Sequence, residues 1–162
     1  MELMFTITVM GLLLGLGVPS FMQTIRSNRL ITQTNELVGA LNFTRSEALK
    51  RANSVTICAS ANASTCSAAL NWGTGFVSFV DLNSNGIRDG AEELLQAWPA
   101  IPAEFTLTST SRTFVRYTAS GTTGNATPSE VFNLTRPGCT GTNARRLTIP
   151  LVGRVTTQTV SC

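Results

Sequence analysis

The chain begins with a long run of apolar residues. Residues 3–21 contain no charged side chain and directly follow a single acidic residue, Glu2. At about 1.5 Å per residue this run would form roughly 28 Å of helix, close to the ~30 Å hydrocarbon thickness of a bilayer. It is longer than the apolar core of a signal peptide, which is typically about 7–15 residues. We therefore predict that residues 1–22 are the transmembrane half of a helix; the alternative is a buried core helix of a soluble protein.

A second helical pattern follows, with polar residues on most of its positions. Four apolar residues at steps of 7, 4 and 7 share one narrow stripe of a helix: Leu30, Leu37, Leu41 and Ala48. Arginine, glutamate and amide side chains fill the other sides, and the pattern stops near residue 53. We predict an amphipathic helix half over residues 23–53, with its apolar stripe covered by a globular domain.

From about residue 54 the pattern changes to short runs in which apolar and polar residues alternate. The runs are 54–59, 76–81, 104–110, 113–119, 130–135, 145–149 and 153–160. Alternation with a period of two, separated by Gly, Asn and Pro, is typical of antiparallel strands. About 110 residues suffice for one domain, so we predict a single β-rich head over residues 54–162 and an α+β fold class.

The amino-acid composition restricts the possible functions more than it restricts the possible folds. The chain has no histidine and a formal net charge of +3. Without histidine, neither a Ser-His-Asp nor a Cys-His catalytic arrangement is possible. The sequence also lacks a phosphate-binding glycine loop and an obvious pair of catalytic carboxylates. We therefore predict a non-enzymatic protein that needs no cofactor.

The predicted head contains four cysteines, which allow three pairings. Nearness in sequence favours Cys58 with Cys66 and Cys139 with Cys162. Free buried thiols are the alternative, but a cysteine at the last position argues against them, since a chain end is seldom buried without a tether. A zinc site is disfavoured because no Cys-x-x-Cys is present. Disulfides would place the head in an oxidising compartment.

The segment DLNSNGIRDGAE, residues 81–92, matches the spacing of a calcium-binding loop. The candidate ligands are Asp81, Asn83, Asn85, Asp89 and Glu92. A predicted strand precedes the loop, however, where this motif requires a helix. Asn-Gly at 85–86 is also a strong hairpin signal, and turns rich in Asp and Asn satisfy backbone donors without a metal. We predict a β-turn loop without a metal and keep calcium as the alternative.

Four arginines are concentrated near the C-terminal end of the sequence: Arg136, Arg145, Arg146 and Arg154. Threonine, asparagine and glycine lie between them. A basic patch of this composition can bind the phosphate backbone of a nucleic acid. The interpretation that we favour is a solvated sheet face whose arginines have acidic partners elsewhere.

Several segments of the chain resemble one family. Glu-Leu at 2–3, the apolar run, GVPSF at 17–21 and a helix with RSEAL at 45–49 are similar to the N-terminal half of type IV pilins. Three further segments resemble minor pilins and pseudopilins of the GspH/FimT/FimU group: NELVGALNFTRSEALKR (35–51), WGTGFVSFVDLNSNGIRD (72–89) and NARRLTIPLVGRVTTQTVSC (143–162). The resemblance implies a pilin-like fold, in which a long N-terminal helix packs against an antiparallel β-sheet head.

The resemblance also assigns roles to three residues at the N-terminal end. In pilins the glutamate that matches Glu2 neutralises the N-terminal amine of a neighbouring subunit, so Glu2, with Leu3 beside it, would set the register of assembly. A carboxylate at an apolar helix end is costly unless it is paired. The alternative is an interfacial acid that only marks the membrane boundary. Pro19 matches the helix-bending proline of the family and removes a backbone donor.

One departure from the family concerns the start of the chain. Family members carry a short basic leader, which a prepilin peptidase removes. Met1 occupies an apolar position just before the glutamate, so we expect a truncated start, with the peptidase acting on the full-length precursor. The alternative is a chain that cannot be processed. Arg26 and Arg29 lie on the outer side of the apolar run, which agrees with a missing basic leader.

The function implied by the resemblance is that of a FimU-like minor pilin, which helps to prime type IV pilus assembly near the tip. One alternative is a FimT-like DNA-binding protein for natural transformation, although only Gly153 and Arg154 match its Gly-Arg-rich segment. The other is a GspH-type pseudopilin of type II secretion. Expected partners are other pilins and minor pilins, the inner membrane and, on the first alternative, DNA. The expected location is the bacterial inner membrane, crossed once with the head in the periplasm, and then the pilus or pseudopilus.

Overall fold

The structure of the protein is a computed structural model. It describes residues 2–124 and 129–162, and the side chains of residues 12–20 lie outside the description. The chain divides into two compact units, Met1–Thr32 and Gln33–Cys162. One helix, α1 (Glu2–Arg51), supplies the first unit and continues into the second.

The first unit is helical and presents apolar side chains to solvent. Its exposed large apolar residues are Leu3, Met4, Phe5, Ile7, Val9, Met10, Phe21, Met22 and Ile31. Among the residues that the structure describes, no helix has the length and apolar character needed to cross a membrane. The transmembrane role of residues 1–22 stays a prediction. The side chain of Pro19, to which a helix-bending role was assigned, lies outside the described residues.

The apolar stripe predicted for the second half of the helix is buried. Leu37, Leu41 and Ala48 are at most 2% exposed, and Leu30, in the first unit, is buried as well. The helix ends at Arg51, two residues before the predicted end. Its last turn is closed by a hydrogen bond from the backbone N–H of Asn53 to the carbonyl of Ala48, with Ala52 at a positive φ of 49°.

The head contains eight strands in the described residues: β1 (Val55–Ala59), β2 (Phe76–Val80), β3 (Leu94–Trp98), β4 (Thr106–Ser109), β5 (Phe114–Tyr117), β6 (Glu130–Thr135), β7 (Ala144–Ile149) and β8 (Thr156–Val160). They form two four-stranded antiparallel sheets. Sheet A has the order β3-β2-β1-β5, and sheet B has the order β4-β6-β7-β8. The α+β fold class and the pilin-like combination of a long helix with antiparallel strands are confirmed.

Strand β3 was not among the predicted strands. Its sequence, LLQAW, lacks a period-two alternation of apolar and polar residues, and none of its side chains is fully buried. It forms because β2 offers a partner: Phe76 lies opposite Trp98, with their ring centroids 5.4 Å apart. The ring of Phe43, from the helix, lies 5.8 Å from that of Trp98 in an edge-on arrangement. Pairing with β2 and the aromatic contacts of Trp98 thus cause this segment to form a strand.

The central strands of sheet A are buried on both faces. One face of β2 meets the helix, where the hydroxyl of Thr44 donates to that of Ser78 at 3.1 Å. The other face holds a cluster of Cys58, Val77 and Phe79. Trp72 connects the sheets, because its ring contacts Phe132 of β6 at a centroid distance of 4.8 Å. This arrangement explains why β1 and β2 are buried along their whole length, whereas buried and half-buried positions alternate along β6 of sheet B.

Candidate functional site

The exposed part of the first unit is the most unusual surface of the molecule. We call residues 3–10 and 21–22 the apolar helix surface. Contiguous exposed apolar side chains mark sites of interaction with proteins or membranes. Its polar groups are satisfied locally, because the hydroxyls of Thr6 and Thr8 donate to the carbonyls of Leu3 and Met4 at 2.9 and 2.7 Å. This surface can therefore enter an apolar environment without leaving a threonine hydroxyl unpaired.

Glu2 lies in the first turn of the helix, and its side chain is exposed. A negative charge is favourable at this end, since the helix dipole is positive there. Leu3 lies next to it and is also exposed. The structure thus places the two predicted assembly residues together at one end of the apolar helix surface. Their role in register stays a prediction.

Both predicted disulfides are present in the head. Cys58 of β1 bonds to Cys66 in the following loop, and Cys139 bonds to Cys162. The second bond joins the loop between β6 and β7 to the residues that follow β8, where the N–H of Cys162 also donates to the carbonyl of Gly141 at 2.9 Å. Among the described residues no cysteine is free.

The five calcium-loop candidates lie together in the connection between β2 and β3, residues 81–93. Asp81 is fully buried, and its carboxylate accepts hydrogen bonds from the Thr56 hydroxyl at 2.6 Å and from the N–H groups of Asn85 and Gly86 at 3.1 Å. Gly86 has a φ of 78°, and a Cβ there would collide with the ring of Phe114. The loop is longer than the tight hairpin turn that Asn-Gly predicted.

Two further carboxylates of this loop, those of Glu92 and Asp89, also accept hydrogen bonds within it. Glu92 accepts from the N–H groups of Leu82 and Asp89 at 2.9 and 3.0 Å. The carboxylate of Asp89 accepts from the side-chain amides of Asn83 and Asn85 at 2.6 and 3.1 Å. In the described parts of the chain, no group of three or more His, Cys, Asp or Glu side chains is arranged to hold a metal. These hydrogen bonds are sufficient to shape the loop.

The four arginines proposed for nucleic-acid contact do not converge. Arg145 and Arg146 are neighbours on β7, so their side chains leave opposite faces of sheet B. Arg136 follows β6 and Arg154 precedes β8, which puts them at opposite ends of the six-residue strand β7, roughly 17 Å apart along it. The guanidinium of Arg146 donates to the side chain of Asn133 at 3.3 Å. The structure therefore distributes these charges over two faces and two ends.

Arg45 is a connecting residue that the sequence analysis did not single out. Its guanidinium donates to the carbonyls of Gly121 at 2.8 Å and Val152 at 3.0 Å, so it joins the helix to two loops. Tyr117 lies beside it, fully buried, and burial raises the pKa of its hydroxyl well above the usual range. Gly153 is required here, since a Cβ at its φ of 76° would meet the carbonyl of Gly121.

In the sequence, only its position in the helical pattern could have identified Arg45 as a connecting residue. It lies four residues after Leu41 and three before Ala48, so it borders the buried stripe. An arginine at such a position either extends to solvent or finds partners in the domain. The partners are backbone carbonyls of distant loops, which no local pattern reveals.

The comparison with known families decides what this architecture is. The sequence profile of the family described as "Type II transport protein GspH" matches residues 33–153, which include Leu37, Leu41 and Ala48 of the buried stripe, Arg45 and seven of the strands. The chain belongs to the GspH family. This confirms the resemblance to the GspH/FimT/FimU group.

Solved structures agree with membership of the GspH family. The type IV minor pilin FimU of Pseudomonas aeruginosa, strain PAO1, matches in two crystal forms. In space group P21 the TM-score is 0.64 at 25% identity, covering 81% of this chain and 89% of FimU. In space group P65 it is 0.62 at 25% identity, covering 80% and 92%. Among curated proteins, none matches the chain in sequence.

These findings establish a coarse function for the GspH-family chain. It is a pilin-like subunit of the minor pilin and pseudopilin type. Pilins are structural rather than enzymatic proteins, and they assemble with other pilin subunits into pili or pseudopili. The apolar helix surface and the folded head are thus parts of an assembling subunit.

Proposed function

We propose that this protein is a FimU-like minor pilin that helps to prime type IV pilus assembly near the tip. The observation that carries the proposal is the apolar helix surface, which is exposed over residues 3–10 and 21–22. Within the described residues of the first unit, these side chains have no apolar cover of their own. A neighbouring helix or a bilayer would supply it, at about 25 cal/mol for each Å² removed from water.

The proposed course of events begins in the inner membrane. Residues 1–22 would cross the bilayer once, with the head in the periplasm, and a prepilin peptidase would process the precursor. The two disulfides support this location, because structural disulfides persist in oxidising compartments such as the periplasm. The same apolar surface would then pack among the helices of other pilins.

Glu2 would set the register of this packing. A carboxylate that enters an apolar helix bundle is costly unless it meets a positive charge. A neighbouring N-terminal amine at one fixed stagger would provide that charge, and other staggers would leave the carboxylate unpaired. Leu3 would add apolar contact at the same end, and Pro19 would allow the helix to bend as it packs.

A second candidate is a pseudopilin of type II secretion. The family's designation as a type II transport protein favours it. The pseudopilin would use the same surface and the same register residue, in a short secretion fibre instead of a pilus. The DNA-binding alternative has no comparable support, because its four candidate arginines are spread over both faces and both ends of sheet B.

The proposal is tested by replacing Glu2 in the chromosomal copy. Glu2→Ala should keep the protein in the membrane fraction at wild-type level, since the change makes the segment more apolar. Its amount in sheared pili should fall severalfold. The matched control is Glu36→Ala, which removes a carboxylate from the same helix outside the apolar surface. Normal incorporation of the Glu2 variant would refute the register role.

Deletion of the gene separates the two candidates. We expect fewer pili and unchanged release of type II secretion substrates. Lost secretion with normal pili would overturn the minor-pilin proposal in favour of the pseudopilin.

A further inference from the structure

The two sheets have four edge strands, and three of them are protected. The outer edge of β4 is covered by residues 70–72. The backbone N–H of Trp72 donates to the carbonyl of Leu107 at 2.9 Å, and the backbone N–H of Ser109 donates to that of Leu70 at 2.8 Å. The outer edge of β5 is covered by residues 122–124, through a bond from Gly124 to the carbonyl of Arg116. These segments occupy backbone groups that would otherwise be open to another strand.

The edge of β3 is protected in a different way. Its pairing with β2 shifts register between Ser78 and Phe79, and Pro99 follows the strand directly. Register irregularities and prolines at strand ends are devices by which proteins discourage edge-to-edge pairing.

Strand β8 has none of these protections. Within the described parts of the chain, no backbone segment covers its outer edge, and residues 156–159 are all exposed. Its sequence, TTQTV, contains no charge and no proline, and its pairing with β7 runs without a register shift. Three of its five residues are β-branched threonines, which favour strands. A regular edge of this kind is a template for a further strand.

The C-terminal end of β8 is also held in place. The Cys139–Cys162 disulfide anchors the chain just after the strand, and the bond from Cys162 to Gly141 lies beside it. An edge that is already ordered loses little conformational entropy when a partner binds. The edge is therefore prepared for binding as well as accessible.

Charge indicates what kind of strand would fit. Residues 131–162 contain four arginines and no acidic side chain. Arg146 is exposed and lies opposite Gln158, and Arg145 lies opposite Thr159. The Arg146 guanidinium donates to Asn133 of β6, so its charge would act on an added strand through space. A strand added to β8 would lie about 9.5 Å from β7, two strand spacings away, which is close to the Debye length at physiological salt. Arg154, just before β8, adds a further exposed positive charge.

We propose that the outer edge of β8 binds an extended, acidic segment of another protein, which becomes a fifth strand of sheet B. Backbone hydrogen bonds would provide the affinity, and the arginines beside the edge would select acidic side chains. A second copy of this chain fits poorly, because pairing β8 with β8 would bring two sets of arginines together. The binding site lies wholly within the head and does not depend on whether the assembly is a pilus or a secretion fibre.

The test uses the full chain in detergent micelles and three labelled peptides of equal length. One alternates valine with glutamate, one alternates valine with lysine, and one carries a central proline in the glutamate sequence. Fluorescence anisotropy should show saturable binding of the glutamate peptide. The lysine peptide should bind weaker by about tenfold or more, because like charges would then face each other. The proline peptide, which cannot complete the ladder, should also lose binding.

Two neighbouring substitutions locate the binding edge. Alternate residues of an antiparallel strand direct their N–H groups to opposite sides. One of the two substitutions Thr157→Pro and Gln158→Pro therefore removes a donor that points outward, away from β7, and the other removes a donor that points inward, towards β7. The outward variant should keep the wild-type unfolding midpoint and lose the glutamate peptide. Arg146→Glu should also weaken binding, whereas Lys50→Glu, an equal charge reversal on the helix, should not.

Other outcomes would overturn the proposal. Absence of glutamate-peptide binding would do so directly. Equal binding of the glutamate peptide by the Thr157→Pro and Gln158→Pro variants, with competition from duplex DNA, would mean that the arginines near β8 bind nucleic acid instead. Sedimentation of the wild-type full chain in micelles as a dimer that the outward proline variant abolishes would assign the edge to a second copy of this chain.

Discussion

Both halves of helix α1 contain large apolar side chains, but the surroundings of these side chains are opposite. In the first unit Met4 and Phe5 are 77% and 72% exposed, whereas in the second unit Leu37 and Leu41 are 2% and 0% exposed. Burial of one such side chain contributes roughly 1.5–3 kcal/mol, so the second half is stabilised by its own domain. The first half can gain this free energy only from another molecule or a membrane. Apolar residues of one helix thus stabilise the head in one part, and under the proposed function they serve assembly in the other.

We expect the largest difference in stability between two leucine substitutions, one in each half of the helix. Leu41→Ala should lower the free energy of unfolding of the head by about 2–5 kcal/mol, because it leaves a cavity at a fully buried site. Leu3→Ala should change it by less than about 0.5 kcal/mol, since Leu3 is exposed. Urea unfolding followed by tryptophan fluorescence measures both. Similar values for the two variants would contradict the division between folding and assembly residues.

Both disulfides lie in the second unit, so their removal should affect the stability of the head. Replacing Cys139 and Cys162 by Ala should cost the head about 3 kcal/mol, because their sequence separation of 23 closes a long loop in the unfolded chain. The Cys58 and Cys66 pair, with a separation of 8, should cost less in loop entropy. Thermal unfolding without reductant gives both values. A larger loss of stability on removing the Cys58–Cys66 bond would show that packing around buried Cys58 outweighs the loop-closure entropy.

Arg45 and Arg26 allow the two units to be compared through charged side chains, one in each unit. Arg45→Met should destabilise the head by about 2 kcal/mol, because the carbonyls of Gly121 and Val152 lose a charged donor. Arg26→Met should have little effect on the head, since Arg26 is exposed in the first unit. Protease sensitivity of the loops around residues 121 and 152 would rise only in the Arg45 variant. Equal sensitivity of both variants would exclude Arg45 as the connection between these loops.

The smallest effect at neutral pH is expected at Tyr117, the single tyrosine of the chain. Its hydroxyl is buried, and in the described structure it has no hydrogen-bond partner, so Tyr117→Phe should be nearly neutral at pH 7. Burial raises the pKa of the folded hydroxyl above the value of about 10 expected in the unfolded chain.

The sign of the pH dependence follows from that raised pKa. The unfolded chain releases the proton first, so stability is complete below about pH 10 and falls by up to ~1.4 kcal/mol per unit above it. Tyr117→Phe should remove this part of the fall. Absorbance at ~295 nm should show ionisation only together with unfolding; ionisation of the folded protein near pH 10 would contradict the burial of the side chain.

Much of the fold was predictable because it rests on local periodicity. The spacing of Leu30, Leu37, Leu41 and Ala48 requires only a helix, and the helix ends within two residues of the expected position. All of the predicted alternating runs contain a strand. Nearness in sequence also identified both disulfides, since a short separation makes a pairing probable before any fold is known.

Features that depend on distant partners were not predictable. Strand β3 exists because β2 and Phe43 offer contacts to a segment without alternation of its own. The 81–92 motif became a loop held by its own hydrogen bonds, with the buried carboxylate of Asp81 also bound to Thr56 of β1. Arg45 found carbonyls 76 and 107 residues away.

The apolar positions, their repeat and the nearness of the cysteine pairs could be read from the chain, because these properties exist before it folds. The division into two sheets, the order of their strands and therefore the covered edges emerged from the folded molecule. The fold also places four arginines that are close in sequence on two faces and at two ends of sheet B. The physical reason is that strand pairing joins residues that are distant in the chain, so its result depends on the competition among all strands at once.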